Sequence, residues 1–217
     1  YLPRTSVIAL ENTHNVEGGA VYPIDDIRAA RKIAGEYGLS LYLDGARIFN
    51  ASVASGVPVS EYAALTDGMM FSFSKGLSCP VGSMIVGPAA FVARAHRFRK
   101  MFGGGMRQVG ILAAACLVAL DEMIDRLAED HACARRLAGG IAALRPEAVD
   151  LEGVETNIVM VRTAPLGFSA DELVEEMARR GVRFFPFGPD LVRLVTHRCV
   201  SDAAIEDALE QFAEVVG

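Results

Sequence analysis

Residues 71–82 read Phe-Ser-Phe-Ser-Lys-Gly-Leu-Ser-Cys-Pro-Val-Gly. The β-prone run Met69, Met70, Phe71 and Phe73 ends in Ser74-Lys75-Gly76, which predicts a buried strand delivering Lys75 at its carboxyl end. Open α/β sheets place their chemistry at that end. Desolvation there disfavours the ammonium form and leaves a nucleophilic amine. On this stretch alone, a solvated loop lysine accounts for the pattern equally well. The choice turns on what the neighbouring segments carry.

Upstream, the apolar run Ser6 to Leu10 opens into the polar cluster Glu11-Asn12-Thr13-His14-Asn15. Pro23, Asp25 and Asp26 then open a helix that keeps apolar spacing through Tyr37 and stops at Gly38. Leu39 to Leu43 is the next strand, with Asp44-Gly45-Ala46-Arg47 at its end. A helix through Ile48, Phe49 and Val53 and a loop around Gly56 and Pro58 lead to the lysine strand, and Ser83 to Val86 forms another. This alternation predicts an α/β fold, a mostly parallel sheet with helices on both faces. Asp44 and Lys75 lie 31 positions apart, one strand-helix-strand crossover, which brings both to the same sheet edge.

Pro88 begins a helix to about Met101, and Gly103-Gly104-Gly105-Met106-Arg107-Gln108 forms a hinge before Val109 to Leu120, the longest apolar stretch and a predicted buried helix. The hinge follows a helix, and Gln108 stands where the third glycine of GxGxxG belongs, so it is no dinucleotide loop. From about Asp125 the texture changes. A helix to Leu144, a strand from Asn157 to Arg162 and a helix opened by the capping box Ser169-Ala170-Asp171-Glu172 come first. Short strands near Val182 to Phe185 and Leu191 to Val195 precede a last helix from Ser201. The predicted organisation is a partial large α/β domain over 1–125 and a small α+β domain over 126–217.

Composition narrows the function classes. The 217 residues carry 21 Lys and Arg against 27 Asp and Glu, a net charge of −6 that argues against a nucleic-acid partner. The basic run Arg94 to Lys100 reads as the solvated face of a helix. Cys79, Cys116, Cys133 and Cys199 form no CxxC pair and read as reduced packing residues of a cytoplasmic protein. His14, His96, His131 and His197 lack metal-ligand spacing, so no metal site is expected. No uninterrupted apolar run approaches the roughly 18 residues of a membrane span.

Three charges fall in apolar patterns: Asp44, Lys75 and Arg193, the last on the same strand face as Leu191 and Val195. Asp44 could serve as a helix cap or pair with Arg47, and Arg193 could pair with a carboxylate at a domain interface. One function explains all three. A pyridoxal phosphate enzyme needs a lysine for the Schiff base, a carboxylate to keep the pyridine nitrogen protonated and an arginine for the amino acid's carboxylate.

Beyond these three, the segments Leu10 to Asn15, Leu43 to Asn50, Ser74 to Leu77, Pro80 to Ser83, Arg99 to Gln108 and Val192 to His197 resemble, in order, the successive signatures of the low-specificity L-threonine aldolase family. The resemblance covers nearly the whole chain. It implies a fold-type I pyridoxal phosphate enzyme that cleaves L-threonine or L-allo-threonine to glycine and acetaldehyde by retro-aldol chemistry through a quinonoid. Lys75 would form the Schiff base, Asp44 would hold the pyridine nitrogen, and Arg47 and Arg193 would bind the substrate carboxylate. Asn12 or Asn15 would reach the cofactor ring or stabilise a turn, Ser74 would meet the phosphate or finish its strand, and Arg107 would reach a phosphate across a subunit interface or cap a helix. His14 and His197 read as loop-orienting residues, with a part in proton transfer as the alternative for His14.

The chain also departs from the family. The amino-terminal portion with the phosphate-binding loop is absent, a family histidine falls at or just before Tyr1, and Val16 to Gly19 is a small insertion. These departures predict an amino-terminal companion segment and a homo-oligomer, dimer or tetramer. A β-eliminating lyase, a phenylserine aldolase and a non-catalytic assembly partner are the competing functions.

Overall fold

The computed structural model describes residues 3–217, so the Tyr1 position lies outside the described residues. The first strands form where the apolar runs predict them. β1 (Val7–Glu11), β2 (Ser40–Asp44) and β3 (Gly68–Ser72) pair in parallel, and β4 (Ser83–Val86) runs antiparallel to β3, in the order β1-β2-β3-β4. Glu11 pairs with Asp44 and Asp44 with Met70, so β1 and β2 end level while β3 runs two residues further, to Ser72.

Between β1 and β2 runs α1 (Ile24–Tyr37), with Asp25 and Asp26 in its first turn and Gly38 closing it at φ 62°. Its buried Ile27 and Ala34 join Leu41 and Leu43 of β2 in the core. α2 (Ile48–Ser55) follows β2 directly. The predicted loop after Pro58 contains a helix, α3 (Val59–Ala64), whose Tyr62 is fully buried. Six residues behind a proline carry too little periodicity to be read as helix. α4 (Ala89–Met101) bears the basic run on its exposed surface.

The apolar stretch after the glycine hinge is a helix, α5 (Gly110–Glu122), but it is not buried. Only Ala119 is shielded, while Ile111 is 82% and Leu117 63% exposed. Its apolar residues surround the helix on all sides, and only one side meets the sheet's own loops. Met123–Arg126 separates α5 from α6 (Leu127–Leu144).

The chain divides into two units. Residues up to Thr13 group with Val21–Asp125, and His14–Ala20 group with Arg126–Gly217. In the second unit, β5 (Ile158–Arg162), α7 (Ala170–Arg179), β6 (Phe185–Gly188), β7 (Leu191–Val195) and α8 (Asp202–Val216) complete the elements. The strands form an antiparallel sheet in the order β5-β7-β6. Val159, Val161, Val192 and Leu194 turn one face into a core with Leu137 and Ile141 of α6, Leu173 of α7 and Phe212 of α8. α7 starts at the capping box, Ser169 Oγ accepting from Glu172 N and Glu172 accepting from Ser169 N.

The other face of this sheet carries the strap 14–20. Thr156 Oγ1 donates to Gly19 O at 2.7 Å. Gly18 lies so near β5 that a β-carbon on it would stand 3.1 Å from Met160 Cγ. At Gly19, φ is +80° and a side chain would meet Thr156 and Ile158. The insertion Val16 to Gly19 is therefore fastened on β5.

Candidate active site

The carboxyl edge of the parallel strands collects most of the anticipated residues. Gly45 follows Asp44 and donates its N–H to Met70 O at 2.9 Å, and a β-carbon on it would stand only 2.7 Å from that oxygen. Glycine thus lets β2 and β3 stay hydrogen-bonded beyond the last regular pair. Asp44 Oδ1 accepts from Ala46 N at 3.0 Å, and Ile48 N donates to Gly45 O at 2.9 Å, winding the turn directly into α2. Asp44 and Arg47 are thereby carried on one stiff strand-turn-helix element. Phe49 of α2 packs edge-on against Phe71 of β3 with centroids 5.2 Å apart, which ties that element to the lysine strand.

Beyond β3, residues 73–82 form a closed loop. Phe73 N donates to Gly82 O at 2.9 Å, Cys79 N to Phe73 O at 3.0 Å and Ser78 N to Lys75 O at 2.9 Å. Phe73, Leu77 and Cys79 point inward and are buried, whereas Ser74 and Lys75 point outward and are exposed. Cys79 Sγ lies 3.5 Å from Ala115 O, anchoring the loop on α5. Burial first and the neighbouring Cys116 second push the Cys79 thiol up, so it stays a protonated packing group.

The expectation that Asp44 and Lys75 sit buried is corrected here. Both are exposed, because Asp44 is the last residue of β2 and Lys75 lies in the loop beyond β3, where water reaches the charges. Arg193 is half-buried on the strap side of β7, the face it shares with Leu191 and Val195, opposite the helix-packed core.

Asn12 and Thr13 hold the end of β1. Asn12 N donates to Asp44 O at 2.9 Å, and its fully buried side chain accepts from Tyr22 N at 3.1 Å and donates to Tyr22 O at 3.4 Å. The amide's observed partners are those of a turn clamp. Its neighbour Thr13 was not anticipated. Thr13 is 2% exposed and its Oγ1 has no hydrogen-bond partner among the described residues, an orphaned buried hydroxyl beside the Asp44 strand. A Thr inside a polar loop cluster gives no sequence signal of this.

The remaining candidates lie elsewhere. Arg107 sits exposed on the connection between α4 and α5. Asn15 belongs to the strap, where its Oδ1 accepts from one Nη of Arg193 at 2.9 Å. His14 Nδ1 accepts from Glu17 N and His197 Nδ1 from Cys199 N, so both orient loops as expected.

A parallel sheet whose carboxyl edge carries Asp44-Gly45-Ala46-Arg47 and Ser74-Lys75, with an α+β unit following, defines the fold-type I α/β class. The chain belongs to the beta-eliminating lyase family, whose model matches residues 1–164. It is 42% identical over 214 residues to a protein of Arabidopsis thaliana named "Probable low-specificity L-threonine aldolase 2", covering 98% of this chain and 60% of that one. To the low specificity L-threonine aldolase of Escherichia coli (strain K12) it is 42% identical over 215 residues, covering 99% and 60%. The chain thus spans about 60% of the length of these relatives. A threonine aldolase structure from Leishmania major superposes with a TM-score of 0.72 at 19% identity, covering 98% of this chain and 61% of that one, a likeness of fold.

Proposed function

We propose that this chain is the greater part of a pyridoxal phosphate-dependent aldolase that cleaves L-threonine or L-allo-threonine to glycine and acetaldehyde. One observation carries the reading: three parallel strands, β1 and β2 ending level and β3 running on to Ser72, deliver an Asp-Gly-Ala-Arg turn and a Ser-Lys-Gly loop at their carboxyl ends. The donor set there fits the cofactor chemically. It comprises an exposed amine on a pinned loop, a carboxylate on a rigid strand end and an orphaned hydroxyl at Thr13. The names of the relatives point the same way.

Pyridoxal phosphate, when bound, supplies a carbonyl for an amine and a ring that accepts the electron pair released at Cα. Lys75 is the amine that would hold it. The Asp44 carboxylate would hold a proton on the pyridine nitrogen, and the hydrogen bond from Ala46 N to its Oδ1 steadies the carboxylate. Ser74 would receive a phosphate oxygen, as would Arg107 from a neighbouring subunit. Arg47 and Arg193 would bind the substrate carboxylate, for which planar guanidinium forks are suited. The observed hydrogen bonds of Asn12 favour its structural role over a ring contact.

The same reading includes a companion amino-terminal segment and a homo-oligomer. What supports it is uncovered apolar surface: Phe102 is 84%, Ile111 82% and Ile85 46% exposed, and β4 pairs only with β3 among the described residues. No helix among the described residues is long and apolar enough to cross a membrane, and all four cysteines are free thiols, which supports a reducing compartment such as the cytoplasm.

The family description favours one second reading, elimination at Cβ. The two separate by product. Retro-aldol cleavage of L-threonine gives glycine and acetaldehyde, whereas elimination of water followed by hydrolysis gives 2-oxobutanoate and ammonia. Acetaldehyde and glycine in equal amounts are expected, and 2-oxobutanoate would overturn the aldolase reading.

A further inference from the structure

The half-buried guanidinium of Arg193 is held from two sides. One Nη donates to Asn15 Oδ1 at 2.9 Å, and Cζ lies 5.1 Å from the centre of the Phe187 ring. Phe187 occupies an irregular position of β6: Phe185 pairs with Arg193 and Gly188 with Leu191, with the register shift between Pro186 and Gly188. The extra residue brings an aromatic face to the arginine. Asn15, 178 positions away in sequence, is fixed by the strap, which is closed by the His14–Ala20 bridge and bonded to β5 through Thr156. The Nε of Arg193 is buried without a partner among the described residues.

The partner's chemistry matters as much as its place. A long, flexible arginine loses rotamer freedom when fixed. A carboxylate at position 15 would fix it too, but would neutralise the charge that attracts an anion. An amide accepts the same hydrogen bond and leaves the full positive charge in place. An aromatic face likewise stabilises the cation without neutralising it.

We propose that Asn15 is a positioning residue for Arg193: with Phe187 as platform, it sets the guanidinium plane and keeps its charge available, so that the strap governs affinity for the α-carboxylate of the amino acid. This rests on the reading of Arg193 as the carboxylate ligand. The test uses the pyridoxal phosphate-loaded protein with Asn15→Ala, Asn15→Asp and Arg193→Lys. It measures binding of glycine and of 1-amino-2-propanol, which is threonine without its carboxylate, together with KM, kcat and melting temperature.

Asn15→Ala should weaken glycine binding and raise KM for L-threonine about tenfold, with kcat changed less than about twofold. Binding of 1-amino-2-propanol should be unchanged. Asn15→Asp should melt at least as high as the wild type yet bind glycine more weakly than Asn15→Ala does. Wild-type glycine affinity in Asn15→Asp, or equal loss of both ligands in Asn15→Ala, would overturn the proposal. If Arg193→Lys weakens glycine binding and neither Asn15 variant does, the positioning role falls and the carboxylate reading stands. If Arg193→Lys also leaves glycine binding unchanged, both fall.

Discussion

Replacing Gly45 by alanine probes the joint that fixes the two strand ends to each other. The added β-carbon would stand 2.7 Å from Met70 O and 3.0 Å from Ile48 Cβ, well inside ordinary contact. Neither obstacle is a flexible side-chain tip. Met70 O is strand backbone bonded to Gly45 N at 2.9 Å, and Ile48 is fully buried in the first turn of α2. The clash is relieved only by moving β2 from β3 or α2 from the sheet. Overpacking of this kind costs about 1–3 kcal/mol, and loss of the Gly45 hydrogen bond adds about 1 kcal/mol. Urea denaturation should therefore show a loss of about 2–4 kcal/mol with an unchanged m-value. The displaced Asp44-Arg47 turn should also weaken pyridoxal phosphate binding more than a comparably destabilising change in the second unit. A Gly45→Ala protein within about 0.5 kcal/mol of the wild type would refute the close-joint argument.

Four further outcomes are expected. His131 is 2% exposed, and burial first, with Arg135 second, pulls its pKa from 6.5 to about 4. Its neutral form is favoured in the folded state, so its contribution is fully present above pH 6.5 and is lost as pH falls toward about 4. The loss totals about 3 kcal/mol, and the difference in unfolding free energy between wild type and His131→Gln should change across that window. Asp44→Asn should keep the fold but cut turnover by about a hundredfold or more, read from acetaldehyde release. Thr156→Val removes the donor to Gly19 O and should cost about 1–3 kcal/mol by urea denaturation. Ser169→Ala opens the capping box of α7 and should cost about 1 kcal/mol by the same measurement.

Local patterns carried much of this architecture because its elements obey local rules. Apolar runs that close just before Gly45 and a few residues before Gly76 mark two of the strands, and the 31-residue interval between Asp44 and Lys75 fits one parallel crossover. Three features were not legible. α5 looks like a core helix because its composition reports apolarity without reporting which neighbours are present to cover it. Residues 14–20 look like a loop of the first unit, and nothing local reveals that Thr156 and Met160 hold them to the second. The Asn15–Arg193 hydrogen bond spans 178 positions, beyond the reach of any periodicity. Exposure of Lys75 was misjudged for a related reason. The apolar residues around it, Phe73, Leu77 and Cys79, are buried by turning away from the lysine, not by enclosing it.

The central claim is that Lys75 is the residue that holds the cofactor. Incubation with pyridoxal phosphate, borohydride reduction and peptide mass mapping should place a stoichiometric pyridoxyl group on Lys75, with no such label in Lys75→Ala. A label spread over the exposed lysines Lys32 and Lys100, or confined to either of them, would contradict it.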